Sequence, residues 1–233
     1  MSLILNIETA TEVCSVSFSK NGQVIALKEN FEGLSHAKLL TVFIDELLKE
    51  NQLKVKNFDA IAVSMGPGSY TGLRIGVSAA KGLAYAADLP LIAISTLQSI
   101  AFGITQEPNK LIKRDAWICP MIDARRMEVY TAFFDTLNVQ KSDISADIIE
   151  KNSYLDILNE RQVVFCGNGA KKCKKTIAHP NALFIDNHVC SAKYLAPLSD
   201  TAFREENFVD VAYFEPFYLK NFIATVPKKN IFK

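Results

Sequence analysis

SMGPGSYTGLRIG, residues 64–76, follows an apolar run, FDAIAVS (58–64), and opens a stretch of helical spacing that reaches Ala87. A short apolar run, a glycine turn and a helix make the unit of a buried parallel strand crossing over, and this points to an α/β fold. The turn is not a known phosphate motif. Gly66, Gly68 and Gly72 are spaced G-x-G-x-x-x-G, one residue too long for a dinucleotide fingerprint, and Gly72 is followed by Leu73 and Arg74 where a P-loop needs Lys-Ser/Thr. Free amides at Gly66, Gly68 and Ser69, with Arg74 in the first turn, make candidate nucleotide or anion contacts. The alternative is a tight turn that only starts the helix, with Pro67 fixing φ.

The helix carries its own signal. Gly72, Gly76, Ala80 and Ala84 fall four apart, with Ala79, Gly82 and Ala87 nearby. Each helical glycine costs about 1 kcal/mol relative to alanine, so close approach by another helix is expected to offset them. That helix belongs either to this chain or to a partner.

Working outward, residues 3–9 read as a central strand, and CSVSFS (14–19) alternates apolar residues with serine, the period of a half-exposed strand. Asn21-Gly22 before QVIALKE signals a hairpin. Ser35 is a candidate N-cap for HAKLLTVFIDELLKEN, whose apolar face takes in Leu39, Leu40, Phe43, Ile44, Leu47 and Leu48, with Val42 outside it. LPLIAIS and a helix from Thr96 complete the order βββαβαβα. DAWICPMI, MEVYTAFF, SDISADIIE, NSYLDILNE, QVVFC, GNGAKKCKKTI, NALFI and a helix from Ser191 repeat it. The expected architecture is two tandem ribonuclease-H-like halves, 1–106 and 107–233, the second ending in a basic tail, VPKKNIFK.

The 233 residues are 49% hydrophobic and 22% charged, and 26 basic against 25 acidic residues leave a net charge of +1. That balance supplies no overall drive toward nucleic acid or membrane. MSLILNIETATE lacks a basic n-region, and the longest apolar stretches are too short to span a bilayer. Cys14, Cys119, Cys166, Cys173 and Cys190, with no CxxC pair, read as reduced thiols of a cytoplasmic protein.

Catalytic patterns are sparse. Leu40 stands four residues after His36, so no HxxxH metal pair exists, and His179 and His188 read as loop residues. No GxSxG elbow or cysteine-protease signature is present. Glu8 could serve as one carboxylate of a metal nuclease, but the fourth strand ends in Ser64 and Met65 and offers no second one. DARRMEVY (123–130) reads as a hairpin that either orders a binding loop or is a charged turn with local ion pairs, and KKCKK (171–175) as either a phosphate contact or a solvated helix face.

ILNIETATEVCSVSF, LSHAKLL, SMGPGSYTGLRIGVSAAKGLA, IDARRMEVY and PFYLKN resemble, in order, the landmarks of the TsaB (YeaZ) family, over essentially the whole chain. The resemblance implies an actin-like ATPase fold and a non-catalytic role in making threonylcarbamoyladenosine beside the anticodon of tRNA. It implies no cofactor. The implied partners are a TsaD-like catalytic paralogue, whose HxxxH motif is missing here, and a TsaE-like ATPase, with tRNA reached through the complex. In the family the first two helices pair with TsaD or with a second copy. Carried onto this chain, that surface is His36, Leu39, Leu40, Phe43 and Leu47 with Thr71, Arg74, Ile75, Val77, Ser78, Lys81 and Tyr85. Two positions depart from the family: Glu8-Thr9-Ala10 replaces Asp-Thr-Ser, and Arg126 replaces a common methionine. The competing function is a nucleotide-hydrolysing or phosphotransferring enzyme that uses the cleft between the halves, with Glu8 or Arg74 in the site.

Overall fold

The computed structural model describes residues 1–33, 35–106 and 109–220, so the basic tail lies outside the described residues. The first half runs β1 (Leu3–Glu8), β2 (Cys14–Lys20), β3 (Gln23–Asn30), α1 (His36–Glu50), β4 (Ala60–Gly66), α2 (Tyr70–Ala87), β5 (Leu91–Ser95) and α3 (Thr96–Gln106). The second runs β6 (Trp117–Asp123), β7 (Glu128–Thr131), β8 (Ser145–Ile148), α4 (Leu155–Glu160), β9 (Val163–Cys166), α5 (Ala170–Cys173), β10 (Ala182–Phe184) and α6 (Ala192–Arg204).

The sheets are ordered β3-β2-β1-β4-β5 and β10-β9-β6-β7-β8. Each half therefore places its strands 3-2-1-4-5, with an antiparallel meander on one side and parallel crossovers on the other. This is the duplicated ribonuclease-H-like arrangement of the actin-like fold that the sequence led us to expect.

The apolar residues of β1 and β4 sort by parity. Leu5, Ile7, Ile61 and Val63 face α1 and α2, whereas Ile4, Ala60 and Ala62 pack against Leu195 and Ala202 of α6. The last helix among the described residues thus covers the first sheet. Its counterpart α3 packs Leu97, Ile100 and Ile104 on Ile118, Ile122 and Val164 of the second sheet.

This exchange corrects one expectation. Ser15, Ser17 and Ser19 of β2 are fully buried, because α6 lies over the face that the alternation marks as wet. Their hydroxyls are satisfied there: Ser17 Oγ donates to Ala192 O at 2.9 Å, and Ser15 Oγ accepts from Ala192 N–H at 3.0 Å. A helix end supplies the orphan amides and carbonyls that water would otherwise meet. Ser35 departs too. It precedes α1 without capping it, its hydroxyl donating instead to Asn30 Oδ1 at 3.0 Å.

Candidate partner-binding surface

The glycine turn between β4 and α2 is pressed onto the end of β1. The Ser69 amide donates to Ala10 O at 2.7 Å, the Gly66 amide to Thr96 Oγ1 at 3.1 Å, and the Gly72 amide to the Ser69 hydroxyl at 3.3 Å. A methyl group on Gly68 would collide with Ala10 O, so this glycine is required by close approach. Two of the three candidate anion contacts, Gly66 and Ser69, therefore spend their amides within the chain. The block turns the backbone and seats a helix.

The small-residue ridge of α2 also faces inward. Gly72, Gly76, Ala80 and Ala84 are buried, and what approaches the two glycines is Thr9 at the end of β1, not another helix. Gly82 lies on the opposite side, exposed, with open space where a side chain would stand.

Beneath the turn sits Glu8, fully buried. Burial pushes its carboxyl above the ordinary 4.5, against the opposing pull of hydrogen bonds from the Ala10 amide at 2.6 Å and the Ser64 hydroxyl at 3.0 Å. Burial first, and then the Glu8 charge, push the Cys190 thiol far up. All five cysteines are free and buried, an environment for inert thiols. Arg74, the other group of the competing enzyme reading, is exposed and turned to Tyr70, donating to its hydroxyl at 3.0 Å. Glu8 and Arg74 do not share a site.

Helices α1 and α2 pack on the outer face of the first sheet and touch each other. Of the residues carried over as partner contacts, Leu40, Leu47 and Val77 are buried in the core beneath the helices, and His36 is buried to 8% exposure. Leu39, Phe43 and Ile75 are half-buried at the rim of that core. Thr71, Arg74, Ser78 and Tyr85 are exposed, Tyr85 to 84%. Ala37, Lys38, Thr41 and Val42 of α1 join them as exposed residues.

Lys81 is spent on a feature that sequence reasoning missed. The segment after α6 pairs Val209 with Leu91 at the edge of the sheet, then crosses α2. Lys81 Nζ donates to Ala212 O at 3.1 Å and to Phe214 O at 2.8 Å, and the Phe217 amide donates to Met65 O at 2.7 Å. Tyr218 then rests against Tyr70, ring centroids 4.9 Å apart. The strap leaves Tyr213 85% exposed beside α2. Irregular backbone has no period to read, so PFYLKN is visible in the sequence only as a landmark.

Two of the three histidines are held by the backbone, whereas His36 Nε2 is buried without a hydrogen-bond partner. His188 is buried with Nε2 3.0 Å from Ile100 O, and His179 Nδ1 accepts from the Asn181 amide at 3.2 Å. No group of three or more metal-ligating side chains occurs among the described residues. No helix there is long and apolar enough to cross a membrane.

A family model described as TsaD, tRNA N6-adenosine threonylcarbamoyltransferase, matches residues 33–225. The tRNA threonylcarbamoyladenosine biosynthesis protein TsaB of Escherichia coli is 30% identical over 233 residues, covering 95% of this chain and 96% of its own. The protein of that name from Haemophilus influenzae is 29% identical, covering 94% and 93%. Among solved structures, YeaZ from Pseudomonas aeruginosa superposes with a TM-score of 0.80 at 26% identity, over 94% of this chain and all of its own.

Proposed function

The chain belongs to the TsaB (YeaZ) family of tRNA threonylcarbamoyladenosine biosynthesis proteins, and from that membership we propose that it is the non-catalytic subunit that binds and activates a TsaD-like transferase. The reaction served is threonylcarbamoylation of the adenosine beside the tRNA anticodon. A TsaE-like ATPase completes the assembly, a second copy of the chain can take the partner's place, and the compartment is the cytoplasm.

The observation that carries this reading is the outer face of the α1–α2 pair. Ala37, Thr41 and Val42 of α1 and Ser78, Gly82 and Tyr85 of α2 are exposed, and Leu39, Phe43 and Ile75 are half-buried. Small residues let helix backbones approach, and a large exposed aromatic suits the centre of an interface. Against the enzyme reading, the Gly66 and Ser69 amides are engaged by the chain itself and Glu8 is fully buried.

The test is capture of the tagged protein from its own cells, comparing wild type with Tyr85→Glu and Ser78→Glu, both exposed. A TsaD-like protein held by wild type and lost by variants of unchanged melting temperature supports the proposal. If a folded, non-pairing variant still sustained tRNA modification, the proposal would fail.

A further inference from the structure

We infer that the hairpin joining β6 to β7, together with Lys171 of α5 and Lys175 in the turn after it, is a direct contact for the phosphate backbone of RNA. This deepens the reading above and rests on it for the nature of the polyanion.

The hairpin is tightly built. The Arg125 amide donates to Asp123 Oδ1 at 2.8 Å, the Glu128 amide to Arg125 O at 3.1 Å and the Ala124 amide to Glu128 O at 3.1 Å. At its tip Arg125 and Arg126 hold φ of 72° and 47°. Glycine and asparagine fit that left-handed region with less strain, so the turn itself gives no reason for two consecutive arginines. Their side chains supply one.

Charge accounting around the tip leaves a surplus. Lys172 Nζ binds Asp123 Oδ1 at 2.5 Å and Glu128 O at 2.6 Å, and Lys220 pairs with the Glu128 carboxylate. Asn168 accepts from the Asp123 amide at 3.0 Å and donates to Glu12 at 2.6 Å, while Lys174 pairs with Asp186 at 2.8 Å. The acids of the hairpin are thus already occupied. Arg125, Arg126, Lys171 and Lys175 are exposed, and among the described residues none of them has a carboxylate partner. In a chain of net charge +1 this is a local concentration of positive charge.

The chemistry favours an extended phosphodiester. Guanidinium groups bind phosphate oxygens in a fork, and ammonium groups act as point charges beside them. Cations spread over a hairpin and a neighbouring helix suit a chain of phosphates better than one small anion. Nothing here reads bases, so the contact positions RNA without selecting sequence.

The test uses the full chain and a fluorescently labelled tRNA transcript, with anisotropy titrations between about 50 and 200 mM salt. Wild type is expected to bind with a steep salt dependence. The double variant R125Q/R126Q is expected to weaken binding at least tenfold at the low-salt end and to reduce the slope of log K against log salt by about 2. K171Q/K175Q should act likewise, and K56Q/K110Q, exposed in the other half and in the connector, should not. An unchanged slope in both hairpin and helix variants, or no binding by wild type at low salt, overturns the inference. So does a hairpin variant that loses anionic vesicles while keeping tRNA. Partner capture is scored on the same proteins. R125Q/R126Q that holds the TsaD-like protein and binds tRNA as wild type does sinks this inference alone, whereas a wild type that binds tRNA through the hairpin but captures no TsaD-like protein sinks the pairing proposal alone.

Discussion

Thr9 Oγ1 donates to the carbonyl oxygen of Gly72 at 2.8 Å, and the same oxygen fills the space where a side chain on Gly76 would begin. The end of β1 is thereby locked to the first turns of α2.

Alanine at the three glycines of α2 should separate packing from propensity. Gly76→Ala meets Thr9 Oγ1 and Gly72→Ala meets the Thr9 carbonyl, so each is expected to destabilise by about 1–3 kcal/mol despite its better helix propensity. Gly82→Ala meets nothing and should stabilise the isolated chain by about 1 kcal/mol. Denaturant melts of the three variants give the comparison. Equal effects at all three would mean that Thr9 does not hold the helix closely.

Glu8 sets a pH dependence. Its folded pKa lies above the ordinary 4.5 because burial disfavours the carboxylate. The folded state therefore holds the proton longer than the unfolded one, and stability present below pH 4.5 is lost as pH rises through the folded pKa. Glu8→Gln, neutral throughout, should gain in melting temperature relative to wild type as pH is raised from 4.5. A constant difference between the two proteins across that range would show that Glu8 carries the same charge folded and unfolded.

Burial divides the helices into residues that fold the chain and residues that can meet a partner. Leu40→Asp and Val77→Asp place a charge in the core and should each cost several kcal/mol, so loss of pairing in them says nothing of the interface. Tyr85→Glu should leave the melting temperature within a degree or two, as substitutions at exposed sites do. Circular dichroism melts run beside the capture experiment check both.

Lys81 anchors the strap. Lys81→Ala removes two hydrogen bonds to backbone carbonyls and should cost about 1 kcal/mol globally. Its larger effect should be local, with amide exchange rising at Phe214 and Phe217 while β1 and β4 stay protected. Uniform exchange along the chain would mean that the strap opens only with the whole fold.

The order of elements was legible because two kinds of period persist. Apolar runs such as AIAVS and spaced residues such as Leu40, Ile44 and Leu47 mark strand and helix whatever lies above them. Period does not say what covers a face. The serines of β2 alternate as they would beside water, and only the fold shows the end of α6 above them. For the same reason the helical spacing of His36, Leu40 and Val77 does not tell that their side chains are buried within this chain. The strap over α2 has no period and shows in the sequence only as the PFYLKN landmark. The topology repeats after residue 106, while α3 packs on the second sheet and α6 on the first.

That exchange of closing helices has a consequence during synthesis. Residues 1–95 supply every strand of the first sheet, yet Ile4, Ala60, Ala62 and Ile92 wait for Leu195 and Ala202 to shield them. At roughly 5–20 residues per second, the intervening hundred or so residues take about 5–20 s to emerge from the ribosome. For that interval the nascent chain carries a finished strand order with one apolar side uncovered.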